Sequence, residues 1–173
     1  MATHAVAGPA PAVSSRRWSI FAGLGTAVVV ADQLTKAVIA ATLPLDSTTE
    51  IVGDLIRLAP SANSGAIFGL FPDQGWLFGA LSVGVLVLIV AYHARSAEAG
   101  PIMSVALGFL LGGAVGNLID RFRFGYVLDF VDMGIGSLRW YTFNVADAAI
   151  STSILLLLLV AVLSGRLSAG SRP

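Results

Sequence analysis

The chain has 173 residues, 56% hydrophobic and only 12% charged, with no net charge, where a soluble domain carries roughly 25% charged residues. A mean hydropathy of +0.85 and several long apolar runs assign it to the membrane class. Zero net charge gives no reason to expect nucleic acid, and the absence of cysteine excludes disulfides, thiolate metal sites and a cysteine nucleophile. His4 lies in a polar tail and His93 at a helix end, both expected without a partner, so no metal and no cofactor are expected. Any chemistry must come from Asp, Asn, Lys, Arg, Ser or Tyr.

Residues 1–15 are rich in Ala, Pro and Ser, lack a period and read as a disordered tail. Arg16 and Arg17 then precede an apolar run over 18–43. The run Ser15-Arg16-Arg17-Trp18-Ser19-Ile20 has a faint likeness to a twin-arginine export signal, but Asp32 and Lys36 interrupt the apolar region and further spans follow. A first spanning helix with basic flanks is the reading adopted. A polar segment over 44–74 includes a partly alternating stretch, 50–58, that predicts short strands on the membrane surface. A second span is expected over 76–92, with Trp76 and Tyr92 as interfacial anchors, then a loop over 93–100. Pro101 starts a third span reaching about 119. A second polar segment covers 120–143, and a fourth span runs over about 145–163 before a short basic tail.

Four spans put both long polar segments on one side and the two termini on the other. Arg16, Arg17, Arg95, Arg166 and Arg172 lie on the terminal side, against Arg57, Arg121, Arg123 and Arg139 opposite. This slight excess favours cytoplasmic termini.

Ionisable residues inside spans cost roughly 2.5–3.5 kcal/mol each on insertion scales, so each needs a partner or a task. Asp32 and Lys36 are four apart on one helix face, suited either to a structural ion pair or to a direct role. On the third helix Gly108, Gly112 and Gly116 form a small-residue ridge for close helix packing. Asn117, Asp120 and Arg121 follow at its outer end, read either as a charged helix terminus or as site residues. Asp129 is flanked by apolar residues, a setting that raises a carboxylate pKa, whereas Asp132 fits a surface charge. Asn144 and Asp147 fit a capping box at the start of the fourth span. Asp147 also shares its membrane boundary with Asp129, and two close carboxylates suit an aspartic hydrolase. Asn63 and Gly65, in Asn63-Ser64-Gly65-Ala66-Ile67-Phe68-Gly69, lie on the same side.

Taken together these motifs resemble lipoprotein signal peptidase, the type II signal peptidase of bacteria. The likeness lies in Asp32-Gln33-Leu34-Thr35-Lys36, Asn63-Ser64-Gly65-Ala66-Ile67-Phe68, the run from Gly112 to Arg121, Val127-Leu128-Asp129-Phe130 and Phe143-Asn144-Val145-Ala146-Asp147, in that order. It implies an all-α membrane protein with four transmembrane helices, a small extracytoplasmic β-cradle and a flap segment. The division implied is a tail over 1–15, a membrane peptidase domain over 16–166 and a C-terminal tail over 167–173. The resemblance makes Asp129 and Asp147 the catalytic pair, with Asp32, Lys36, Asn63, Gly65, Asn117, Arg121 and Asn144 binding substrate or supporting the site. The implied activity is removal of signal peptides from diacylglyceryl-modified prolipoproteins by cleavage just before the lipidated cysteine. The partners implied are that substrate and the lipid bilayer, for a monomer in the bacterial cytoplasmic membrane with its active site near the extracytoplasmic face. Ile67 departs from the family, which usually has a second alanine there. The flap is expected over 132–141, with Gly134 and Gly136 for flexibility and Trp140 and Tyr141 as anchors.

Two rival readings remain at this point. Asp32, Lys36, Asp120 and Asp147 form a proton or ion relay in a small transporter, although a relay should thread both leaflets and the inner halves of the spans carry no ionisable residue beyond their ends. Alternatively the polar cluster only fixes packing in a structural protein, which explains the glycine ridge but not the paired carboxylates.

Overall fold

The computed structural model describes residues 15–64, 75–96 and 100–170, with side chains throughout except at 75–78 and 164–170. In chain order the elements are α1 (Ser15–Thr42), β1 (Thr49–Val52), β2 (Ile56–Asn63), α2 (Gly75–Arg95), α3 (Pro101–Phe124), β3 (Val127–Ile135), β4 (Leu138–Arg139) and α4 (Val145–Gly170). Among the described residues α1, α3 and α4 are long and apolar enough to cross a membrane, and Gly79–Arg95 within α2 is a shorter apolar helix. Their outward faces expose large apolar side chains such as Val30, Leu34, Val38, Leu88 and Leu155, as surfaces facing hydrocarbon do. The expected tail over 1–15 and the positions Gly65 and Ile67 lie outside the described residues, except for Ser15 in the first turn of α1.

α3 is the central helix. It starts with Pro101 after Gly100 and ends at Gly125, whose left-handed backbone (φ 79°) lets its N–H donate to the Arg121 carbonyl. The glycine ridge does what its spacing predicts. A Cβ on Gly112 would sit 2.6 Å from the Gly25 carbonyl oxygen and the Val28 Cβ of α1, and one on Gly116 would sit 2.7 Å from the Asp32 carboxylate. On the other side, a Cβ on Gly113 would reach 2.5 Å from the Ala146 carbonyl of α4. Backbones at this separation leave no room for a side chain, so α1 and α4 both pack directly on α3.

Both polar segments contribute to one antiparallel sheet of order β1-β2-β3-β4. The alternation over 50–58 becomes β1 and the start of β2, with Gly53 turning between them at φ 47°. β2 then continues to Asn63 and pairs with β3. Its register shifts between Leu58 and Ser61, around Pro60, which has no N–H for the ladder. The sheet sits at the end of the bundle where α1 and α3 finish and α4 begins, and Ile39, Leu128 and Phe130 form the buried core that joins it to α1.

Four expectations change. The third span, expected to reach about 119, runs on as α3 to Phe124, with Asp120 and Arg121 in its last turns as their place at its outer end implies. α2 runs to Arg95, and His93 is fully buried rather than partnerless. Its ring stacks on Phe21 at 4.2 Å between centroids, meets the Trp18 ring edge-on, and places Nε2 3.1 Å from Ser104 Oγ. Arg17, read as a membrane flank, is buried at the same end and donates to the His93 carbonyl at 2.8 Å. Asp132 is not a surface charge: it is buried between Arg57 and Arg139, with nitrogens at 2.6 and 2.9 Å. The segment 132–141 is the β3–β4 hairpin with its exit, turned at Gly136 (φ 56°) and carrying exposed Ile135, Leu138, Trp140 and Tyr141.

Gly112→Ala should therefore destabilise the protein by about 1–3 kcal/mol through overpacking. Gly23→Ala, where nothing lies within 4 Å of the added carbon, should be neutral or stabilising by up to about 1 kcal/mol. Thermal melting in detergent compares the two, and a Gly112→Ala protein as stable as Gly23→Ala would contradict the packing.

Candidate active site

Two carboxylates meet where the sheet rests on the bundle, and they arrive from different kinds of element. Asp129 lies on β3, opposite Ser61 across the β2–β3 ladder. Alternation along β2 puts Ser61 and Asn63 on one face, and Asn63 Nδ2 donates to Asp129 Oδ2 at 3.0 Å. Asp147 lies in the first turn of α4. Its backbone N–H donates to Asn144 Oδ1 at 2.9 Å, and its Oδ2 accepts the Asn144 backbone N–H at 3.2 Å. That is a capping box, so the local rule for starting a helix also sets the carboxylate in place. The same two residues therefore start the helix and hold a carboxylate beside Asp129, so the capping geometry and the meeting of the carboxylates are compatible.

Asn144 joins the two carboxylates. Fully buried, it donates from Nδ2 to Asp129 Oδ1 at 2.7 Å while its oxygen holds the Asp147 N–H. Asn117, from α3, donates to Asp147 Oδ1 at 2.7 Å and accepts from Asn144 Nδ2 at 3.1 Å. Each carboxylate thus accepts from two nitrogen donors and gives nothing in return.

Beneath this pair lies a buried ion cluster. Lys36 Nζ is 2.8 Å from Asp32 Oδ2, 2.8 Å from Asp120 Oδ2 and 3.2 Å from Asn117 Oδ1. Asp32 also accepts the Ala146 N–H of α4 at 3.0 Å, and Asp120 accepts the Leu128 N–H of β3 at 3.1 Å. Gln33 Nε2 bridges Asp32 and Asp120 at 3.1 and 2.9 Å. Arg121 stays half-exposed. It donates to the Asn117 carbonyl at 3.3 Å, and no carboxylate among the described residues comes within ion-pair distance of it.

Burial pushes the Asp129 carboxyl up to about 7, and the nearby negative charge of Asp147 adds to the rise. Hydrogen bonds from Asn63 and Asn144 and the charge of Lys36 oppose it without cancelling it. Asp132, three residues on, goes the other way. Burial would raise it, but hydrogen bonds and charge from Arg139 and Arg57 hold it below the usual carboxylate range. One strand therefore carries a carboxyl ready to hold a proton near neutral pH and another that stays ionised.

Of the residues expected in the site, Asp129, Asp147, Asp32, Lys36, Asn63, Asn117 and Asn144 form one connected network; Arg121 borders it, and Gly65 lies outside the described residues. The set that the resemblance implies includes neither Asp120, read from its place either as part of a charged helix end or as a site residue, nor Gln33. Asp120 lies four residues from Gly116 and three from Asn117, a spacing that puts it on the face turned toward α1 and was available as a signal. Gln33 carried none. The relay reading fails on geometry, because Asp32, Lys36 and Asp120 are locked together at one end of the bundle. Among the described residues no three His, Asp or Glu side chains are placed to hold a metal ion.

Comparison with known proteins agrees with this geometry. Residues 24–163 match the family model for signal peptidase (SPase) II. A lipoprotein signal peptidase of Syntrophomonas wolfei is 42% identical over 140 residues, covering 80% of this chain and 90% of the relative. That of Desulforapulum autotrophicum is 38% identical over 133 residues, covering 74% of this chain and 82% of its own length. A solved bacterial membrane enzyme superposes with a TM-score of 0.79 at 26% identity, over 92% of this chain and 94% of that one. The order of the five motifs, the paired carboxylates and these matches lead to one conclusion: the chain belongs to the signal peptidase II family.

Proposed function

We propose that Asp129 and Asp147 are the catalytic pair of this peptidase, with Asp147 as the base and Asp129 as the proton donor. Membership of the family makes the chain a peptidase that removes signal peptides from prolipoproteins. The observation that carries the residue assignment is the Asn144 bridge, which holds the carboxylates of a strand and a helix in one hydrogen-bonded unit. Asp147, at the N-terminus of α4, lies where the helix dipole favours negative charge. Asp129, raised to about 7, is suited to hold a proton. Asp147 takes a proton from water as the water oxygen attacks the peptide carbonyl, and Asp129 donates a hydrogen bond to the oxygen that becomes negative. The tetrahedral intermediate collapses with cleavage of the C–N bond, and the proton held by Asp147 passes to the leaving amine.

The substrate in this reading is a prolipoprotein carrying diacylglyceryl on its cysteine, cut just before that residue. An active centre at the end of an apolar bundle, under a sheet edged by exposed Ile135, Leu138, Trp140 and Tyr141, supports a lipid-bearing substrate. Asn63 and the half-exposed Arg121 are placed to meet its backbone, and Gly65 belongs to the same binding role. We assign α2 as the fourth span, the termini to the cytoplasm and the site to the outer face of the bacterial inner membrane. The arginine bias and the position of the sheet support this topology. We assign a monomer, with 16–166 as the peptidase unit. The flap falls on the β3–β4 hairpin, whose movement requires Asp132 to part from Arg57, and Arg139 from Asp54.

Purified protein should cleave a diacylglyceryl-modified prolipoprotein in detergent. Asp129→Asn and Asp147→Asn should each lower turnover by at least about a hundredfold while the melting temperature is kept; substantial activity in either would sink the pair. Because Asp129 must hold a proton and loses it as pH rises through about 7, kcat/KM should fall on the alkaline side of that value. A profile rising steadily from acid to alkaline pH would contradict the donor role.

A further inference from the structure

Lys36 is more than half of an ion pair. An ammonium has three N–H groups and no acceptor, and each here has one destination: Asp32, Asp120 and Asn117. A carboxamide presents either an oxygen or an NH2 in almost the same space, and only the oxygen can face an ammonium. Lys36, together with the Asn144 NH2, therefore sets which way the Asn117 amide points. With Oδ1 held by Lys36 Nζ and Asn144 Nδ2, the Asn117 NH2 is left for Asp147 Oδ1 at 2.7 Å. Turned over, the same amide would set an oxygen against that carboxylate oxygen, which only a protonated Asp147 tolerates.

Asp120 keeps the ammonium where it does this. Its Oδ2 holds Lys36 Nζ and the Leu128 N–H, next to Asp129, and its Oδ1 holds Gln33. It is 1% exposed, and its hydrogen bonds and ion pair among the described residues go to Lys36, Leu128 and Gln33 and to neither of the paired carboxylates. Its effect on the reaction must therefore pass through Lys36 and the β3 backbone.

We propose that Lys36 and Asp120 are positioning residues that orient the Asn117 amide so that its NH2 faces and holds the Asp147 carboxylate that takes the proton of water. This rests on the reading of Asp129 and Asp147 as the catalytic pair, and it assigns a function to Asp120. Along this path the donors run outward from the cation, from Lys36 Nζ to Asn117 Oδ1 and from Asn117 Nδ2 to Asp147 Oδ1.

A mutant cycle with steady-state kinetics tests it. Asp120→Asn keeps an acceptor for Leu128 and leaves Lys36 paired with Asp32, so it is the mild variant; Lys36→Met combined with Asp120→Asn removes the orienting cation. The expected result is a kcat at least tenfold lower for the combined variant with KM within threefold, read well below a melting temperature that falls because Asp32 loses its cation. Asn117→Ala should give a similar loss, and adding it to the combined variant should cost nothing further. Losses that multiply, wild-type kcat in the combined variant, or a loss carried by KM would overturn the proposal. If the combined variant does not fold, adding Asp32→Asn, which leaves no charge of the cluster unpaired and keeps an acceptor for the Ala146 N–H, gives the same comparison with and without Asn117→Ala and is read the same way. Asp129→Asn and Asp147→Asn in the same assay separate the two failures: activity in these variants overturns the catalytic pair, whereas their inactivity with a multiplicative cycle overturns only the positioning role.

Discussion

The buried ammonium of Lys36 is the constraint around which the outer end of the molecule is built. Removing one partner of a buried ion pair strands a charge and is strongly destabilising, so a cation 5% exposed must have every N–H used and every counter-charge satisfied. Here one cation faces two carboxylates, and the surplus negative charge is spread over backbone N–H groups of Ala146 and Leu128 and the amide of Gln33. Those partners belong to α1, α3, β3 and α4. Satisfying one charge therefore fixes four elements relative to one another, and hydrophobic burial alone, being non-directional, would not impose such an orientation.

The glycine ridge makes this cluster possible. Gly116 brings α3 so close to α1 that the Asp32 carboxylate occupies the space a Cβ would take, and Gly113 does the same against the α4 backbone at Ala146. The small residues carry no chemistry themselves. They set the backbone separation at which Lys36 reaches Asp120 and Asn117, and at which the first turn of α4 meets the Asp32 carboxylate. Packing and electrostatics thus support each other, and the paired carboxylates sit on a base defined by both.

Polar networks at three places contrast in burial and hence in consequence. The cluster around Lys36 is nearly dry and decides geometry. The Asp54–Arg57–Asp132–Arg139 network on the sheet is partly exposed, where individual ion pairs contribute little; its effect is to tie the β3–β4 hairpin to the turn before β2. At the far end Arg17, His93 and Ser104 join the starts of α1 and α3 to the end of α2. Only the first of these touches the paired carboxylates.

The membrane class, the long helices, the strands in the first polar segment and the nearness of Asp129 to Asp147 at one end of the bundle were legible in the sequence. Each is encoded by neighbours along the chain: hydropathy runs, alternation, glycines four apart, and the Asn144-to-Asp147 spacing of a helix start. What tertiary structure alone decided is how distant side chains share donors. The burial of Asp132 between two arginines, the aromatic surroundings of His93, the continuation of α3 through Asp120 and the placement of Asn63 beside Asp129 all depend on partners tens of residues away. A charge in a sequence carries no record of whether its partner will be water or a buried ion, because that depends on which backbones come close enough to exclude water, and only the folded packing of α1, α3, α4 and the sheet sets that.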